Sequence, residues 1–185
     1  ILGGYGAKRL LDLARQLEPS WARKLAASAL IFAIVVPAAW ATWSSREVGT
    51  GYYNEAVGGF TGAAERQGMR QFWGYATGLT TDWMNEHLPE NAQVHFQNTT
   101  GGAYNMYKEE GRIREDIRIG WDYRRTDCLI FHEQRAFSET EYDIWGVYET
   151  MAPTYVASYR GVPMATVYCN EETRQSLRNK DLLAK

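Results

Sequence analysis

From Leu25 to Trp43 the chain reads LAASALIFAIVVPAAWATW, nineteen residues without a charge. At 1.5 Å of rise per residue, a helix over this run reaches about the 30 Å thickness of a bilayer's hydrocarbon core. Pro37 removes one helical N–H, and Ser28 and Thr42 are mild polar interruptions, which membrane helices tolerate. Trp40 and Trp43 sit where an interfacial aromatic belt belongs and are read as membrane-interface anchors. A secretory signal peptide is one competing reading, but 24 residues precede the run, and it exceeds the usual apolar core of such peptides. A buried helix of a globular core is the other. The run predicts one transmembrane helix over 25–43.

Charge orients the span. Residues 1–24 carry five basic groups (Lys8, Arg9, Arg15, Arg23, Lys24) against two acids (Asp12, Glu18), whereas the remainder carries fifteen against twenty. Basic residues gather on the cytoplasmic side of a span, so residues 44–185 are expected outside the cytoplasm. In a bacterium this is an inner-membrane protein with a periplasmic domain. Basic groups do not cluster beyond the span, so no nucleic-acid footprint is expected. Leu10, Leu11, Leu13, Ala14 and Leu17 form an apolar stripe, making 1–24 a cytoplasmic amphipathic segment able to lie on the membrane surface. The first residue is Ile rather than Met, which leaves processing or truncation open.

Beyond the span, six glycines fall between Gly49 and Gly68, and 44–68 reads as an irregular juxtamembrane segment. No strand precedes it and no Lys-Ser/Thr follows, so it fits no phosphate-binding loop. Residues 69–170 then alternate. Phe72, Tyr75, Ala76, Leu79 and Trp83 have helical spacing, ending before Pro89. A strand follows at Ala92 to Gln97, a helix after Gly101-Gly102, an extended piece over Ile113, Ile117 and Ile119, and a buried strand at Cys128 to His132. Ser138-x-x-Glu141 has the capping-box form and opens a further helix. Tyr155 to Tyr159 and Pro163 to Cys169 read as a hairpin turning at Gly161. The fold class is α/β, a mixed sheet with helices. The tail 171–185 is charged and is expected to fray or to bind elsewhere.

The chemistry-bearing residues are sparse. His87, His95 and His132 have no Cys or His partner at ligand spacing, and packed or surface positions account for them better than a metal site. Cys128 and Cys169 lie on separate predicted strands and form either a disulfide, in an oxidising compartment, or two buried thiols. Gly101-Gly102 at a helix start can present amides to an anion, but a plain turn explains it. Glu139 and Asp143, near Arg135, read as a solvated helix face. No catalytic residue, metal or cofactor is expected.

The runs YYNEAVGGFTGA (Tyr52 to Ala63) and GMRQFWG (Gly68 to Gly74) resemble the stretch after the last membrane helix of bacterial polytopic glycosyltransferases. These are enzymes of the dolichyl-phosphate-mannose protein mannosyltransferase type. DWMNEHLPENAQV (Asp82 to Val94), EYDIWGVYET (Glu141 to Thr150) and GVPMATVY (Gly161 to Tyr168) are similar to the small extracytoplasmic domain that follows. The resemblance implies a many-helix bundle that transfers a sugar from a polyprenyl-phosphate carrier, with its catalytic acids in an early extracytoplasmic loop. No residue here matches that loop, and one span builds no lipid-carrier cavity.

Two expectations follow. In the first, the chain is a non-catalytic accessory subunit docked on a larger membrane complex, with respiratory and photosynthetic assemblies as natural hosts. Ala26, Ala27, Ala29, Ala33, Ala38 and Ala39 allow close helix contact, and Tyr52, Tyr53, Trp73 and Trp121 are candidate interface residues, with core burial as the alternative for each. In the second, it is the C-terminal module of a glycosyltransferase whose catalytic helices lie outside this sequence, with a lipid-linked sugar as partner.

Overall fold

A run of apolar side chains without charge has no means of ending itself, so its helix extends until polar residues intervene. In the computed structural model, which describes residues 2–16, 18–46, 48, 51, 53, 57–71 and 74–183, that happens at Ser20 and Ser44. The chain divides into two units, Ile1–Arg46 and Glu47–Lys185. The first holds α1 (Leu2–Ala14) and α2 (Ser20–Ser44). The 25 residues of α2 contain the predicted span, start five residues before it and carry Arg23 and Lys24 in the first turns. An 18-residue stretch of it has a mean hydropathy of 2.0, and none of the residues of α2 is buried. At the C-terminal end, side chains add further hydrogen bonds to helix carbonyls. Thr42 Oγ1 donates to Ala38 O (2.9 Å), Ser45 Oγ to Ala41 O (2.6 Å) and Arg46 Nη1 to Trp43 O (3.1 Å).

The second unit is built on a five-stranded mixed sheet with helices: α3 (Gly59–Glu65), a 3-10 turn (Tyr75–Thr80), α4 (Thr81–His87), β1 (Gln93–Gln97), α5 (Gly101–Glu109), β2 (Arg118–Ile119), β3 (Cys128–His132), α6 (Ser138–Tyr148), β4 (Tyr155–Tyr159), β5 (Val162–Cys169) and α7 (Glu171–Leu183). Strand order is β2-β1-β3-β5-β4; β1 is parallel to β2 and β3, and β5 is antiparallel to β3 and β4. All five residues of β3 are buried, as expected of a strand covered on both faces. Alternation divides the core. Val94, Phe96, Cys128, Ile130, Val167 and Cys169 pack with Met84, Tyr104 and Tyr107 from α4 and α5. Leu129, Phe131 and Tyr168 pack with Ile144 and Tyr148 of α6. A third cluster joins Val48, Phe60, Ala76, Val162 and Met164.

Cys128 and Cys169 are register partners on β3 and β5, fully buried at a Cα–Cα distance of 4.0 Å, and are joined as a disulfide. The β4–β5 hairpin turns through Arg160 (φ 50°) and Gly161 (φ 79°). Two successive positive φ values match the right-handed twist of the flanking strands, and glycine reaches them without strain.

Several boundaries differ from the sequence expectations, each for a physical reason. Residues 44–68 are not irregular throughout: α3 forms inside them, and Phe60 and Ala63 are buried in the domain. The tail is the helix α7, held by the Arg174 guanidinium, which donates to Tyr148 O (2.8 Å) and Cys169 O (2.7 Å). Ser138 begins α6 rather than capping it; Phe137 is the N-cap and no side-chain cap bond forms. Of the extended piece at 113–119, only Arg118–Ile119 pairs, because Ile113 and Ile117 are drawn into the core. Phe72 lies outside the described residues.

Replacing both cysteines (C128A/C169A) is predicted to lower the folding stability by on the order of 4 kcal/mol, from loop-closure entropy over the separation of 41 residues. Thermal melting checks this, and an unchanged Tm rejects a native disulfide.

Candidate functional site

Open α/β sheets bind ligands beyond the carboxyl ends of parallel strands, where the chain order reverses. Here the chain leaves β1 for β2 on one side and returns to β3 on the other, so the reversal lies between β1 and β3. Gly74 (φ +75°) packs there so closely that a Cβ would lie 2.6 Å from Thr99 Oγ1 and 2.9 Å from His132 Nδ1, so only glycine fits. His132 Nδ1 and Asn98 Nδ2 are the buried side-chain polar atoms that lack a hydrogen-bond partner among the described residues. With Gln134 Oε1 accepting from His132 Nε2 (3.1 Å), the Nδ1 presents a lone pair. Burial holds this imidazole below its usual pKa, partly offset by the Gln134 bond.

The open site lies beside the end of β3. A cleft of about 650 Å³ runs between residues 64–70 and the β3–α6 connection. Phe131, Ala64, Met69 and Ala136 give it apolar walls, and Arg70, Glu133, Gln134, Ser138 and Glu141 its polar groups. Arg70 Nη1 donates to Pro163 O (2.9 Å) and sits 3.7 Å from Glu133. Glu133 Oε1 accepts from Thr166 Oγ1 (3.3 Å). Glu141 stands in the first turn of α6, and its pKa is pushed up by burial and by the Glu133 charge against a hydrogen bond with Tyr168. Tyr168 is in turn raised first by burial, and its hydroxyl accepts from Trp145 Nε1 (3.2 Å). Donors and acceptors alternate around an apolar floor, which suits binding. Ser138 forms no bond to a base among the described contacts, and among the described residues no three His, Cys, Asp or Glu side chains gather to hold a metal.

The residues singled out in the sequence fall elsewhere. His95 Nδ1 bonds Gly120 O (2.7 Å) and its Nε2 bonds Gln97 (2.9 Å); His87 Nδ1 bonds Trp83 O (3.0 Å). Tyr53 is half-buried and donates to Met69 O (2.7 Å), whereas Trp121 is 81% exposed. Tyr52 and Trp73 lie outside the described residues. Trp40 and Trp43 are 68% and 65% exposed on α2. Gly101 and Gly102 open α5, whose N-cap Thr100 makes no side-chain cap bond. Asp143 and Glu139 line no described cleft. Arg70, Glu133 and Glu141 were not among the sequence candidates; the available signal was the pair Glu133-Gln134, placed directly after the most buried strand.

No family model, no curated protein and no solved structure matches this chain.

Because the native state disfavours protonated His132, the unfolded chain binds the extra proton first. Stability is therefore complete above the ordinary imidazole pKa of 6.5 and falls as the pH drops below it, by at most ~1.4 kcal/mol per unit from this group. Denaturant unfolding between pH 7 and pH 5 is predicted to show this slope in the wild type and a smaller one in H132Q; equal slopes count against it.

Proposed function

We propose that this chain is a membrane-anchored module: α2 spans a bacterial inner membrane with its N-terminal side in the cytoplasm, and the α/β domain works in the periplasm. The observation that carries this reading is the 25-residue apolar helix with no buried residue, a surface of a kind that aqueous proteins do not leave bare over such a length. The buried disulfide at the centre of the sheet supports an oxidising compartment for the domain. The basic residues before the span support the orientation. The cleft, with polar groups around an apolar floor, supports a binding role for the module. It docks on other membrane subunits through α2.

A second reading narrows the first: the host is a glycosyltransferase that uses a polyprenyl-phosphate sugar, with catalytic helices that are not among these residues. One structural observation favours it. The family-like run at 68–74 does not merely link helix to domain; it supplies Gly68, Met69 and Arg70 to one wall of the cleft, while the similar segment at 141–150 supplies Glu141.

The topology is tested with single cysteines introduced at Lys8 and Trp121 and a membrane-impermeant maleimide added to intact spheroplasts. W121C is expected to react and K8C to stay silent until lysis; the reverse pattern rejects the orientation, and reaction of both in intact cells rejects the span. Mild-detergent extraction with mass spectrometry then tests docking: a fixed ratio to a multi-span partner is expected, and a chain that migrates alone rejects it.

A further inference from the structure

The ionisable groups described at the cleft beside β3 are Arg70, Glu133 and Glu141. Two of these satisfy each other. The Arg70 guanidinium sits 3.7 Å from Glu133 and is also committed to Pro163 O, while Glu133 takes a further bond from Thr166. Glu141 is left with the neutral Tyr168 hydroxyl as its hydrogen-bond partner and another carboxylate as its charged neighbour. A carboxylate partly removed from water beside a like charge is destabilised, and protonation or an incoming positive charge relieves it.

We propose that this cleft binds a compact organic cation carrying a primary ammonium group, with the ammonium between Glu141 and Glu133 and the apolar body against Phe131, Met69 and Ala136. An ammonium brings three donors and no acceptor, which matches two carboxylates and the Gln134 and Ser138 oxygens at the same wall. The alternatives fit less well. An anion meets a cleft in which two carboxylates outnumber the one described guanidinium, Arg70. A metal ion lacks a third carboxylate, His or Cys among the described residues. A neutral hydroxyl leaves the repulsion between the two carboxylates in place. The cleft volume of about 650 Å³ admits a ring-sized molecule. The inference stands on the cleft alone and does not depend on the membrane or glycosyltransferase reading.

The test is calorimetric titration of the full chain in phosphatidylcholine nanodiscs, with empty discs as the blank. Three shape-matched probes are used: cyclohexylammonium, cyclohexanol and cyclohexanecarboxylate. Saturable binding of the ammonium is expected, with the alcohol at least about tenfold weaker and the carboxylate weaker still, about 1.4 kcal/mol for each tenfold step. E141Q, which keeps the shape and removes the charge, is expected to weaken the ammonium at least about tenfold while still melting cooperatively. A136K, at an exposed position on the cleft wall, tethers an ammonium there and is expected to abolish probe binding even if E141Q fails to fold. Equal affinity for the three probes, no saturable binding to the wild type, or undiminished binding in both variants overturns the proposal. The maleimide labelling pattern is unaffected by any of these outcomes.

Discussion

The domain depends on one strand that has water on neither face. β3 pairs in parallel with β1 and antiparallel with β5, and every one of its five side chains is buried. A strand in that position needs cover on two sides, so the neighbouring elements are recruited to opposite faces: α4 and α5 to the side of Cys128 and Ile130, α6 to the side of Leu129 and Phe131. The disulfide sits where β3 enters the sheet, tying it to the last residue of β5. Residues 41 apart in sequence are thus held as register partners, and the return of the chain through α6 and the β4–β5 hairpin is constrained before any side chain outside the sheet is considered. Arg174 extends the same lock. By donating to Cys169 O it fixes the start of α7 against the disulfide strand.

A second cation, Arg114, does for one corner what the disulfide does for the centre. Its guanidinium donates to Asn85 O (2.7 Å), Leu88 O (3.1 Å) and Pro89 O (2.9 Å), carbonyls at and just past the end of α4 that no helical N–H can reach. Asp116 holds the guanidinium in place (2.6 Å) and accepts from Asn91 N (2.7 Å), and these bonds draw its carboxyl down to about 2. The turn into β1 is therefore fixed by side chains, which lets Met84 and Leu88 enter the core immediately beside it. At the reversal between β1 and β3, Gly74 packs closely against Thr99 and His132, and none of the described clefts lies there. The open cleft forms one element further on, where residues 64–70 pass the β3–α6 connection without filling it.

What could be read from the sequence was what a single local pattern encodes. The uncharged run gives α2, the apolar stretch at 128–132 gives β3, and Gly161 between two alternating runs gives the hairpin. The mixed α/β class followed from their order. What could not be read depended on distant contacts. Gly58, Gly59 and Gly62 argue against a helix by propensity, yet α3 forms because Phe60 has a pocket with Val162 and Met164 some hundred residues away. The charged tail looks soluble until Arg174 finds carbonyls at Tyr148 and Cys169. The cleft was invisible for the same reason: Arg70 and Glu133 are meaningless as a pair until the sheet brings them to 3.7 Å. The capping box at Ser138 misled because the preceding 3-10 turn, Arg135–Phe137, already sets the chain direction into α6.

The two units carry complementary incompleteness, and this bears on what kind of protein it is. α2 has an apolar surface whose described neighbour within its own unit is α1, and it is long and apolar enough to cross a membrane. The domain, by contrast, is closed by its own disulfide, three apolar clusters and capped corners, and what it leaves short of a partner among the described residues is small and polar: His132 Nδ1, Asn98 Nδ2 and a Glu141 carboxyl that has a hydroxyl partner but no counter-charge. A catalyst concentrates its unsatisfied groups where a bond is to be broken, with a nucleophile beside a base or a metal beside a water. Here the unsatisfied groups are an apolar helix in one unit and an acidic cleft in the other. The first is an apolar surface and the second an open, polar-lined cleft.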